Sequence, residues 1–160
     1  MISIVPITKD NLRSLQKKIL EIENASFPTP WTAKAFEDEL NNPVSCMWAL
    51  IVNDEFCGYI CFWFFSGEIH LMNIAISPGQ RRRGLGFHLL AKMLEHGRNK
   101  GARLVWLEVR PSNRTARLLY EKAGFEETSR RRMYYRDTNE DAIVMTLSIP
   151  GSVEGIAGTP

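Results

Sequence analysis

Apolar positions along the chain follow two periods, and each change of period marks an element. Ile2 to Ile7 is short and β-branched and reads as a strand. Thr8, Lys9 and Asp10 punctuate it before Leu12, Leu15, Ile19 and Ile22 recur at helical spacing. Ser26 to Trp31, reading Ser-Phe-Pro-Thr-Pro-Trp, stops that helix, because each proline removes a donor and restricts the residue before it. Thr32 then predicts the N-cap of a short helix through Leu40, ended by Asn41, Asn42 and Pro43. From Cys46 to Ile76 the runs become extended. Met47 to Val52, Phe56 to Phe65 and Glu68 to Ile76, separated by Asn53-Asp54-Glu55 and Ser66-Gly67, predict an antiparallel meander. A helix from Gly84 carries Leu85, Leu89, Leu90, Met93 and Leu94 on one face and stops at Lys100-Gly101. Arg103 to Val109 is a strand, and Asn113 to Lys122 a helix closed by Gly124. Glu126 to Tyr135 with Ala142 to Leu147 forms a terminal hairpin. The order βααβββαβαββ predicts an α/β (α+β) fold, a central mixed and mostly antiparallel sheet flanked by helices.

At 160 residues the chain is sized for one domain, expected over residues 1–149. Residues 150–160 are small and breaker-rich and read as a flexible tail. A formal net charge of +2 excludes a protein that binds nucleic acid by its overall charge, and no direct nucleic-acid partner is expected. The three cysteines, Cys46, Cys57 and Cys61, sit in apolar runs and read as buried reduced thiols. The amino terminus lacks a basic region followed by a long apolar stretch, and no run has the length of a membrane span. A cytoplasmic protein without a membrane partner is the expectation. His70, His88 and His96 stand apart in sequence and no Cys and His cluster has ligand spacing, so no metal is expected.

The stretch Gln80-Arg81-Arg82-Arg83-Gly84-Leu85-Gly86 lies between a predicted strand and a predicted helix. A helix start offers unpaired N–H groups and a partial positive charge, glycines permit close backbone approach, and arginines add charge; together these suit a pyrophosphate. A solvated basic loop with a glycine-assisted turn is the competing reading. There is no Gly-Lys-Ser/Thr of a P-loop, and His88 and Leu89 stand where a Rossmann fingerprint has its third glycine. Glu108 interrupts an otherwise apolar strand, Leu104 to Val109, where a buried acid costs free energy unless paired, hydrated or needed. A general base on one side, an edge position or a salt bridge to arginine on the other, are equally open.

Arg81-x-x-Gly84-x-Gly86 after Met72-Asn73-Ile74-Ala75-Ile76 resembles the coenzyme-A signature of the GNAT acetyltransferase superfamily. The resemblance narrows to the bacterial ribosomal-protein-alanine N-acetyltransferases and runs from about Phe27 to Leu147. It passes through Trp106 to Arg110, Ser112-Asn113, Leu119-Tyr120-Glu121, Gly124-Phe125, Arg131-Arg132, Tyr134-Tyr135 and Glu140 to Ile143. What it implies is direct acetyl transfer from acetyl-CoA to an amine, without a covalent acetyl-enzyme. The backbone of Ile74, Ala75 and Ile76 is expected to pair with the pantetheine arm as a pseudo-strand. Arg82, Arg83, Gly84, Leu85, Gly86 and Phe87 are expected to cradle the pyrophosphate, with Arg81 a supplementary charge and Asn113 a further contact. An N-cap is the ordinary occupation of an asparagine at such a place. The resemblance tips Glu108 towards general base, acting through water, and Tyr120 towards proton donor for the departing thiolate. A core tyrosine beside Leu118 and Leu119 is the plainer alternative for Tyr120.

Phe27-Pro28 and Tyr134-Tyr135 resemble the two loops that flank the peptide in N-terminal acetyltransferases. The implied acceptor is a protein amino terminus, by analogy the alanine of a small-subunit ribosomal protein. Magnitudes agree: making an α-amine of pKa about 7.8 neutral at pH 7 costs roughly 1 kcal/mol, against roughly 4.6 for a lysine. Met133 departs from the family, which often has a polar residue before the tyrosine pair. Lysine or small-amine acetylation, and a non-catalytic acyl-CoA-binding module, are the alternatives.

Overall fold

The computed structural model describes residues 1–150, so the expected tail lies, but for its first residue, outside the described residues. The elements follow the predicted order: β1 (Ile2–Pro6), α1 (Lys9–Ser26), α2 (Ala33–Leu40), β2 (Ser45–Val52), β3 (Glu55–Phe65), β4 (Glu68–Ile76), α3 (Leu85–Asn99), β5 (Leu104–Val109), α4 (Arg114–Ala123), β6 (Glu126–Tyr135) and β7 (Glu140–Ser148). A 3₁₀ turn at Pro78–Gln80, not anticipated, leads into the basic loop. One seven-stranded sheet has the order β1-β2-β3-β4-β5-β7-β6. The β1–β2, β2–β3, β5–β7 and β6–β7 ladders are antiparallel. The β4–β5 ladder is parallel, with His70 opposite Trp106.

The helices begin and end where side chains satisfy orphan backbone groups. Thr8 caps α1 in a reciprocal box with Asn11. Thr32 accepts from Ala35 N at 3.1 Å to start α2. Gly124, at φ 105°, closes α4 in the left-handed conformation that costs glycine nothing.

By internal contacts the chain forms two compact units. The first is Met1–Trp63 with Met72–Leu89, and the second is Phe64–Leu71 with Leu90 onward. In the first, Ile19, Ile22, Phe36, Met47, Tyr59 and Ala75 belong to one apolar cluster. A buried carboxylate lies within this unit. Glu23 accepts from the Tyr59 hydroxyl, from Asn73 Nδ2 at 2.9 Å and from Trp31 N at 2.8 Å. That full set of donors is what makes its burial tolerable. Gly58 on β3 faces β4 so closely that a Cβ there would lie 2.6 Å from Ala75 O. In the second unit Ile69, Val105, Leu107, Ile143 and Met145 are buried. Gly97 lets α3 approach β4, since a Cβ there would collide with Ile69 Cδ1.

Cys57 and Cys61 are buried as expected, with burial pushing both thiols up, whereas Cys46 is only half-buried. No helix among the described residues is long and apolar enough to cross a membrane.

Candidate active site

The expected site residues divide between the two units, and each set has its own geometry. In the first unit β4 alternates strictly, burying Asn73 and Ala75 and leaving Ile74 and Ile76 part-exposed. The loop after it, Arg81 to Gly84, is exposed. Arg82 and Gly84 both take positive φ, 65° and 77°. The first internal bond of α3 is His88 N to Gly84 O at 3.0 Å, so the Leu85 and Gly86 N–H groups precede it and have no acceptor within the helix. Unpaired N–H groups, a dipole end and the exposed Arg82 and Arg83 fit an anionic diphosphate. Arg81 has another occupation. Its Nε donates to Ile76 O at 2.9 Å and its Nη2 to Ser26 Oγ at 2.8 Å, tying the end of α1 to the end of β4. Arg83 reaches back to Gln80. Phe27, the C-cap of α1, packs against the apolar cluster of this unit and is followed by Pro28.

In the second unit Glu108 stands on β5, which lies between β4 and β7, so the edge reading is removed. Its side chain is 11% exposed and has two partners: His70 Nε2 at 2.8 Å from Oε1, and Arg131 Nη2 at 3.5 Å from Oε2. The arginine of the competing reading is therefore present, but at an ion-pair distance beyond ordinary hydrogen-bond length. His70 lies flat on Trp106, ring centroids 3.6 Å apart and planes 10° from parallel.

Tyr120 is buried in α4 and touches Phe125, ring centroids 5.8 Å apart. Burial pushes its phenol up, and the neighbouring Tyr135 pushes it further. Among the described residues its hydroxyl has no protein hydrogen-bond partner, an uncommon state for a buried polar group and one that leaves it a donor to spare. Asn113 caps α4, Oδ1 accepting from Ala116 N at 3.2 Å, which leaves its Nδ2 donors to other use. Tyr134 and Tyr135 meet edge to face at 5.1 Å, and Arg110 lies 4.0 Å over the Tyr135 ring. Burial and the Glu108 charge push Tyr135 up to about 12. Tyr135 is thus an electrostatic neighbour of Glu108 and raises Tyr120 in turn, all three lying in one unit.

His70 is the residue that sequence reasoning missed. A histidine standing alone in sequence carries no sign of its partner, since the contact depends on the register of a parallel ladder. Among the described residues no group of three or more His, Cys, Asp or Glu is placed to hold a metal.

Residues 17–125 match the Acetyltransferase (GNAT) family. The chain belongs to it. As a GNAT protein it is an acetyl-CoA-dependent N-acetyltransferase. The ribosomal protein bS18-alanine N-acetyltransferase of Escherichia coli is 36% identical over 130 residues, 80% of this chain and 87% of that protein. The crystal structure of the Escherichia coli ribosomal-protein-alanine N-acetyltransferase superposes with a TM-score of 0.82 at 33% identity, covering 93% of this chain and 94% of that one. A GNAT acetyltransferase from Elizabethkingia anophelis, crystallised with acetyl-CoA bound, shares the fold with a TM-score of 0.76 at 19% identity, covering 92% and 98%.

Proposed function

We propose that residues 1–149 act as one catalytic domain that acetylates the α-amine of a protein amino terminus, the natural acceptor being the N-terminal alanine of a small-subunit ribosomal protein. The observation that carries the chemistry is the pair within one unit: a carboxylate on a central strand, Glu108, and a buried phenol, Tyr120, whose hydroxyl has no hydrogen-bond partner among the described residues. The acceptor rests on the 36% identity to an enzyme named for ribosomal-protein alanine and on the lower cost of presenting an α-amine uncharged.

Acetyl-CoA supplies the acetyl group as a thioester, whose carbonyl an amine can attack directly. Ile74, Ala75 and Ile76 offer backbone to the pantetheine arm; Arg82, Arg83, Gly84, Leu85, Gly86 and Phe87 hold the diphosphate. Arg81 supports that loop by its two hydrogen bonds to Ile76 and Ser26. The Asn113 amide donors add a further contact. Phe27, Pro28, Tyr134 and Tyr135 flank the peptide terminus. Glu108 takes the proton of the attacking amine through a water, and Tyr120 Oη gives its proton to the departing sulfur. A phenol pushed up by burial remains protonated at working pH, which is what a donor requires.

The test is steady-state kinetics with acetyl-CoA on separate acceptors: Ala- and Ser-terminal peptides, the same peptides with blocked termini, internal-lysine peptides and polyamines. Turnover on free termini that blocking abolishes is the expected result. Turnover confined to lysine or polyamine moves the acceptor; acetyl-CoA binding with no turnover on any acceptor removes the enzyme reading.

A further inference from the structure

A general base must be held in one orientation and keep an oxygen available for the proton it takes. The ladder around Glu108 supplies both conditions. β4 and β5 are parallel with His70 opposite Trp106, and Glu108, two residues beyond Trp106, projects on the same face. That diagonal brings His70 Nε2 to 2.8 Å from Glu108 Oε1. The Trp106 indole, stacked at 3.6 Å, fixes the plane of the imidazole. As a base Glu108 is a carboxylate, which only accepts, and with it in that form Nε2 is the donor to Oε1. Oε2 is differently placed, with Arg131 Nη2 3.5 Å away on a half-exposed side chain of β6.

The geometry points to His70 as a positioning residue for catalysis: it engages Glu108 Oε1, fixes the carboxylate, and leaves Oε2 as the oxygen that takes the amine proton. This rests on the reading of Glu108 as the base. Arg131 adds positive charge beside Oε2 without the short contact that would occupy it.

Two substitutions separate the ring from its donor. His70→Phe keeps an aromatic to stack on Trp106 and removes the N–H. His70→Gln removes the stack and keeps an N–H at similar reach. With an Ala-terminal peptide, His70→Phe is expected to lower kcat by roughly 10- to 100-fold while KM for acetyl-CoA and for peptide stay within about twofold, and His70→Gln to recover most of the loss. The deciding comparison is the double variant. Introduced into Glu108→Gln, His70→Phe is expected to change kcat by less than about twofold, because a residue acting through Glu108 has nothing left to position. Circular dichroism melts accompany each variant, and His70→Leu is the second donor-free variant should His70→Phe not fold. A donor-free variant at wild-type kcat, or a loss that persists in full on the Glu108→Gln background, overturns the positioning role while Glu108 remains the base. Wild-type turnover by Glu108→Gln overturns the base reading and this one with it.

Discussion

At Tyr120 burial and the proposed chemistry pull in the same direction. Removing the phenol from water disfavours its anion and so preserves the proton that the departing thiolate needs. Tyr120→Phe deletes that proton with little change of shape and is expected to lower kcat roughly 10- to 100-fold, with acetyl-CoA affinity kept; burst and steady-state rates with calorimetric acetyl-CoA titration check it. Glu108→Gln removes the proposed base itself, and the expected loss in kcat is about 10²- to 10⁴-fold. Glu108 was legible as an acid interrupting an apolar strand. Its partners were not, since both His70 and Arg131 reach it from other strands. Met133 shows the reverse case. It sits at φ 51° where the β6–β7 register shifts, its N–H donating to Asp141 Oδ1 at 2.9 Å. Left-handed backbone favours asparagine or glycine over methionine, which gives a physical reason for a polar residue there. Met133→Asn is expected to raise stability by roughly 0.5–1 kcal/mol in urea unfolding.

At the scale of elements, the helices were legible because their ends are written in single residues: Thr8, Thr32, Asn113 and Gly124 all cap as their types dictate. Strand existence was equally legible from β-branched and aromatic runs. The lateral order was not. A terminal hairpin announces that β6 and β7 pair, but not that β7 rather than β6 lies against β5. That choice follows burial: β6 is exposed along nearly its whole length, while Ala142, Ile143 and Met145 of β7 are buried. The close contact at Gly58 is likewise invisible in one sequence. Gly58→Ala would drive a methyl into Ala75 O, so it is expected to displace the strand proposed to offer backbone to the pantetheine arm. Weaker acetyl-CoA binding by calorimetry, at least roughly tenfold, with the fold retained by circular dichroism, is the anticipated outcome.

For the whole molecule, two buried thiols and three tyrosines weaken the fold as pH rises. Cys57, Cys61, Tyr59 and Tyr120 are pushed up chiefly by burial, and Tyr135 is pushed up to about 12 by burial and the Glu108 charge. In the unfolded chain thiols titrate at about 8.5 and tyrosines at about 10, so the unfolded state releases protons first as pH rises. Their contribution to stability is complete below about pH 8 and is lost as pH climbs through the folded values. Urea midpoints falling from about pH 8.5 upward and more steeply above about pH 10, with tyrosinate absorbance appearing together with unfolding, is the expected result.

The proposed function requires the acetyl group to go to an α-amine. One peptide carrying both a free N-terminal alanine and an internal lysine, incubated with acetyl-CoA at pH 7 and mapped by fragment mass, puts the two nitrogens in direct competition. Acetylation at the α-nitrogen, lost with Glu108→Gln, is the predicted result. Acetylation at the lysine with the terminus left free would contradict it.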